Sequence, residues 1–90
     1  MRRPVVAGNW KCNLLRDEAA ALARQLRGSC ETDAVEVVVC PSYTALAAVA
    51  DALRGSRIGL GAQDLFWEPS GAFTGEVSGR MLANAGCRYV

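Results

Sequence analysis

The sequence predicts an α/β fold on parallel strands, with three strand–helix units in succession and the start of a fourth strand. Three observations predict it. Short β-like runs alternate with alanine-rich helical runs at a period of about thirty residues, the length of a βαβ unit. The strand-like runs are too apolar to leave one face in water, as in sheets covered by helices. The chain's 90 residues are 51% hydrophobic and 21% charged, enough for a core and too short for a second domain, so residues 1–90 read as a single unit with no internal boundary.

Pro4 to Lys11 opens the chain as a strand. Arg16 to Leu26 reads as a helix, because Ala19, Leu22, Ala23 and Leu26 share one face at i, i+3, i+4, i+7. Asp17 and Glu18 stand in its first turn and Arg24 and Arg27 near its last, complementing the helix dipole, and Gly28 suits the position just past its end. Val35 to Cys40 is a strand broken only by Glu36 and punctuated by Pro41-Ser42. A second helix runs from about Tyr43 to Leu53, with Leu46, Val49, Ala50 and Leu53 as its buried stripe and Gly55 as its stop. Ile58 to Gln63 is a third strand, Asp64 to Gly75 a loop, and Ser78 to Asn84 a short third helix ended by Gly86. Cys87 to Val90 begins another strand-like run, with no punctuation after it.

Composition excludes several classes of function. Ten Lys/Arg against nine Asp/Glu leave a net charge of +1 with no basic block, so nucleic acid and membrane surfaces are not expected partners. Histidine is absent, which removes imidazole base chemistry and His-ligated metal from this chain. Cys12, Cys30, Cys40 and Cys87 form no Cys-x-x-Cys pair, arguing against zinc and a disulfide framework and for a reducing compartment. The apolar stretch behind Arg2-Arg3 ends at Asn9, short of the ~7–15 apolar residues of a signal peptide, and no run reaches the ~20 of a membrane span. A cytoplasmic protein is expected.

Asn9 and Lys11 stand at the C-terminal end of the first strand, where α/β folds place ligand-binding groups. Strand alternation would put both on one face and Trp10 on the other. Two readings stay open: an anion held by the Lys11 ammonium with Asn9 as orienter, or a solvated strand end. Gly59-Leu60-Gly61-Ala62-Gln63-Asp64 begins like a dinucleotide fingerprint, but Asp64 replaces the third glycine and would oppose a pyrophosphate. Strand glycines are explained as well by close backbone approach. The loop from Phe66 to Glu76 carries Phe66, Trp67 and Phe73, which either fold back on their own sheet or are covered by a partner chain.

Three segments together resemble the triose-phosphate isomerase family. Val5-Val6-Ala7-Gly8-Asn9-Trp10-Lys11-Cys12-Asn13 resembles its first strand. Gly61-Ala62-Gln63-Asp64 with Ser70-Gly71-Ala72-Phe73-Thr74-Gly75-Glu76 resembles its third strand and interdigitating loop, and Leu82 to Val90 the approach to its fourth strand. The resemblance implies a TIM (β/α)8 barrel, typically ~250 residues, of which this chain would be the N-terminal part, about three of eight units. It further implies interconversion of dihydroxyacetone phosphate and glyceraldehyde 3-phosphate, a step of glycolysis and gluconeogenesis, without metal or organic cofactor. By resemblance Lys11 is the active-site lysine that holds the phosphate and stabilises charge on the substrate oxygen, and Asn9 helps orient it. Cys12, Asn13, Phe73, Thr74, Gly75 and Glu76 would lie at the interface of a homodimer, Cys12 standing where methionine is common. The family's glutamate base and neutral histidine, for which this enzyme is itself a standard illustration, have no counterpart in residues 1–90. The chain alone is therefore expected to be inactive. A competing reading is a non-catalytic assembly module whose open sheet edges and surplus valines, Val37 to Val39, drive self-association.

Overall fold

The computed structural model describes residues 2–90. It shows a parallel sheet with helices on one face. Strand β1 spans Val5–Asn9, helix α1 Arg16–Ser29, strand β2 Glu36–Cys40, a 3-10 turn Tyr43–Ala45 leads into helix α2 Leu46–Ala52, strand β3 is Gly59–Leu60, and helix α3 spans Gly79–Asn84. The sheet order is β1-β2-β3, all parallel, with Val5 opposite Glu36 and Val39 opposite Leu60. The strand-like run at the C-terminal end does join the sheet: Gly61 and Tyr89 form a parallel bridge, and the Arg88 and Ala62 amides donate to the Leu60 and Tyr89 carbonyls.

Alternation along the strands divides the sheet into two faces. Val39 and Leu60 meet Ala19 and Ala23 of α1 and Leu46, Val49 and Leu53 of α2 and its end, forming the main core. The expected helical stripes therefore hold, although Leu22 and Leu26 are only half-buried. On the opposite face Val38, Gly59, Gly61 and Tyr89 crowd together. A Cβ on Gly61 would stand 2.8 Å from the Cys40 Sγ and 3.3 Å from both Val38 Cγ1 and Tyr89 Cβ, so this glycine serves close packing. Glu36, at the start of β2, joins three segments of the chain: it pairs with Arg3 and accepts the Tyr89 hydroxyl at 2.8 Å.

Several boundaries differ from expectation. β1 ends at Asn9, because Lys11 turns into the left-handed region at φ 58. Gly28 does not end α1, which continues to Ser29. The Arg27 guanidinium donates to the Ala52 and Arg54 carbonyls, tying the last turn to the end of α2, and the Cys30 amide still reaches the Leu26 carbonyl. β3 shrinks to two residues. The other stops behave as local signals predict. Gly55 and Gly86 take φ of 82° and 105°, and Ser78 caps α3 by accepting the Met81 amide at 3.3 Å. Leu15 at the start of α1 has no side-chain acceptor, so only the Glu18 half of a capping box forms, with Glu18 accepting the Leu15 amide at 2.9 Å.

The valines thought to drive association also need correction. Val38 and Val39 are 1% and 3% exposed, and Val37 packs against the core. In the sheet it is β1 that carries exposed apolar side chains, with Val5 and Val6 at 56% and 60%. Among the described residues β1 pairs only with β2, leaving its other edge open. Such an edge with apolar side chains is a template for another strand. The 90-residue chain prepared alone is expected to self-associate at micromolar concentration, and Val5→Lys/Val6→Lys to reduce that association. Sedimentation velocity checks this; a single monomer boundary for the unsubstituted chain would contradict it.

Candidate functional site

The site is built where the strands end. The Trp10 amide closes the β1–β2 ladder on the Cys40 carbonyl at 3.0 Å, and the chain then reverses through residues 11–14. Lys11 and Leu14 both take positive φ, 58° and 73°, a region costing a residue with a side chain about 1–3 kcal/mol. Side chains hold this turn in place. Asn9 Oδ1 accepts the Lys11 amide at 2.8 Å, and Asn13 Nδ2 donates to the Trp10 carbonyl at 2.8 Å. Gln63 Nε2, from just beyond β3, donates to the Lys11 carbonyl at 2.8 Å and to the Cys40 carbonyl at 3.0 Å.

Asn9 and Lys11 are thus brought together, but not by strand alternation. Lys11 lies outside the strand, and Asn9 orients its backbone rather than sharing a pleat with it. The Lys11 ammonium has no ion-pair partner among the described residues and is exposed. Lys11, Cys12, Ser42, Tyr43, Gln63 and Asp64 line a cavity of about 200 Å³ at this end of the sheet.

Two residues not singled out beforehand organise this region. One is Gln63. The other is Tyr43, whose hydroxyl donates to both the carboxylate and the backbone carbonyl of Asp64, the latter at 2.8 Å. Burial, the bond to Asp64 and the negative charges of Asp64 and Glu76 push Tyr43 up to about 12, so it remains a donor throughout the ordinary pH range. The available signal for Gln63 was the one used for Asn9: a polar side chain just past a buried strand.

The loop that follows stays at the surface. Phe66 and Phe73 pack together at 4.6 Å between ring centroids, so part of the aromatic cluster does fold back on itself, while Trp67 is 78% exposed. Thr74, Gly75 and Glu76 are exposed, as are Cys12 and Asn13 on the turn after β1. These two interface candidates are therefore both accessible, on separate surface segments. Among the described residues no group of three or more His, Cys, Asp and Glu side chains is placed to hold a metal ion, and no helix is long and apolar enough to cross a membrane.

A sequence model of triosephosphate isomerase matches residues 4–90, nearly the whole chain and every element of this site. The chain belongs to the triosephosphate isomerase family. Among its curated relatives, triosephosphate isomerase of Moorella thermoacetica is 58% identical over 90 residues, that of Symbiobacterium thermophilum 57% over 91, and that of Chloroflexus aurantiacus 54% over 91. Each match covers 100% of this chain and 36% of the relative, so the chain spans about a third of a triosephosphate isomerase.

Proposed function

We propose that this chain is the N-terminal part of a cytoplasmic triosephosphate isomerase, acting on dihydroxyacetone phosphate and glyceraldehyde 3-phosphate. The observation that carries the proposal is family membership across residues 4–90, with a lysine that has no ion-pair partner among the described residues held at the C-terminal ends of the strands. That end is where β/α barrels place their chemistry. Lys11 supplies fixed positive charge to the substrate's phosphate and to the oxygen that becomes anionic as a proton leaves carbon. Asn9 holds the Lys11 peptide. The glutamate base and the neutral histidine come from outside residues 1–90. In the complete protein the parallel sheet closes into an eight-stranded barrel, and the open edge of β1 receives its missing neighbour. Conversion of dihydroxyacetone phosphate by the full-length protein tests the proposal, and its absence would overturn it.

The full-length protein is further proposed to be a homodimer, with the Phe73-Thr74-Gly75-Glu76 segment of one subunit against Cys12 and Asn13 of the other. The exposure of both segments supports this, as does a cavity of about 340 Å³ lined by Cys12, Asn13, Leu14 and Leu15 among others. Cys12 is the one exposed thiol of four free cysteines, while burial pushes Cys40 and Cys87 up. A bulky adduct on Cys12 would overpack such an interface and displace the turn carrying Lys11. Thiol reagents are therefore expected to inactivate the full-length enzyme while dissociating it, and Cys12→Met to resist them. Peptide mapping with sedimentation checks this; inactivation with Cys12 unlabelled, or a labelled and fully active dimer, would refute it.

A further inference from the structure

We propose that Gln63 is the positioning residue of Lys11: its amide clamps the lysine's backbone in the left-handed conformation that aims the ammonium. This rests on the reading of Lys11 as the site's cation. One planar NH2 group has both hydrogens committed, one to the Lys11 carbonyl at 2.8 Å and one to the Cys40 carbonyl at 3.0 Å. Since both partners are acceptors, only the nitrogen end of the amide can face them. The Cys40 carbonyl also accepts the Trp10 amide at 3.0 Å, so Gln63 is referenced to the point where β1 and β2 separate.

The geometry makes this more than surface hydrogen bonding. Asn9 holds the peptide before Lys11 through its N–H, and Gln63 holds the peptide after it through its C=O. Between the two clamps φ is 58°, where a side chain is disfavoured. Releasing the second clamp lets the backbone relax to negative φ, which swings the Cα–Cβ bond. At the end of a four-carbon stem that swing moves the ammonium by more than the ~1 Å whose misplacement costs a catalytic group ~10²-fold in rate. Gln63 is itself anchored, because the next residue, Asp64, is bound through its own carbonyl and carboxylate by Tyr43.

The side chain must be a glutamine for this. Glutamate has the same shape but, ionised, offers only acceptors to two carbonyl oxygens. Asparagine keeps the NH2 but is one methylene short of spanning both. Gln63→Glu and Gln63→Asn in the full-length enzyme carrying this segment are each expected to lower kcat/KM about 10²-fold while cooperative unfolding is retained. The deciding readout is the same pair of changes on a Lys11→Met background, where a residue that acts only through Lys11 costs less than about threefold more. The proposal is overturned if either folded variant keeps kcat/KM within about threefold of the parent, or if the full loss persists beside Lys11→Met. Should Lys11→Met alone leave activity intact, the reading of Lys11 falls and the proposal with it, which separates that failure from one in which only Gln63 proves dispensable.

Discussion

No isomerase turnover above the buffer-catalysed rate is expected from the 90-residue chain prepared alone. Moving a proton from carbon requires a base within hydrogen-bond reach of it, a contribution of about 10²–10⁴-fold even before electrostatic help. Histidine is absent from the sequence, and several carboxylates are already hydrogen-bonded, ion-paired or remote from Lys11. Asp64 accepts the Tyr43 hydroxyl, and Glu18 accepts the amide at the start of α1. Asp33 and Glu36 are paired with Arg57 and Arg3. Glu36 begins β2, and in a parallel sheet that is the end opposite Lys11. Glu76 lies exposed on a surface loop. A lysine without a base can bind and polarise but cannot enolise. A coupled assay on chain purified free of host enzyme checks this, with proton exchange at the substrate carbon as a second readout. Turnover proportional to chain concentration would refute it.

Lys11→Met in the full-length enzyme is expected to lower kcat/KM by at least ~10²–10³-fold, the scale for losing one preorganised group aimed at developing charge. The fold should survive the change. Both hydrogen bonds that hold Lys11 in place go to its backbone, from Asn9 Oδ1 and Gln63 Nε2, and neither involves the ammonium. Methionine keeps an unbranched stem and carries the same left-handed backbone cost as lysine. The thermal midpoint should therefore stay close to that of the parent while activity collapses. Activity near normal in a folded Lys11→Met protein would leave Lys11 a solvated strand-end residue and nothing more.

Much of this architecture is legible in the amino-acid sequence. Ala19 and Ala23, and Leu46, Val49 and Leu53, are buried as their spacing requires. Gly55, Ser78 and Gly86 act where a turn needs a positive φ or a cap. Asn9 and Lys11 were identifiable as a pair because polar groups at a strand's C-terminal end stand out against an apolar run. The error lay in how they are paired. Alternation assumes the strand continues through Lys11, and whether it does depends on groups elsewhere in the chain. Gly28 misled in the same way, since α1 is carried past it by the hold of Arg27 on the carbonyls of Ala52 and Arg54.

The sequence by itself determined the order of strands and helices, the helix stripes, the turn glycines and the family. Each of these is set by residues within about a turn of one another, or by short motifs whose spacing is visible along the chain. Only the tertiary structure decided where β1 ends, that Glu36 ties Arg3 to Tyr89, and that Gln63 braces Lys11. Those outcomes depend on hydrogen bonds between residues 53, 52 or 33 positions apart, and a backbone held at positive φ against its own preference is stable only when such distant partners are already in place.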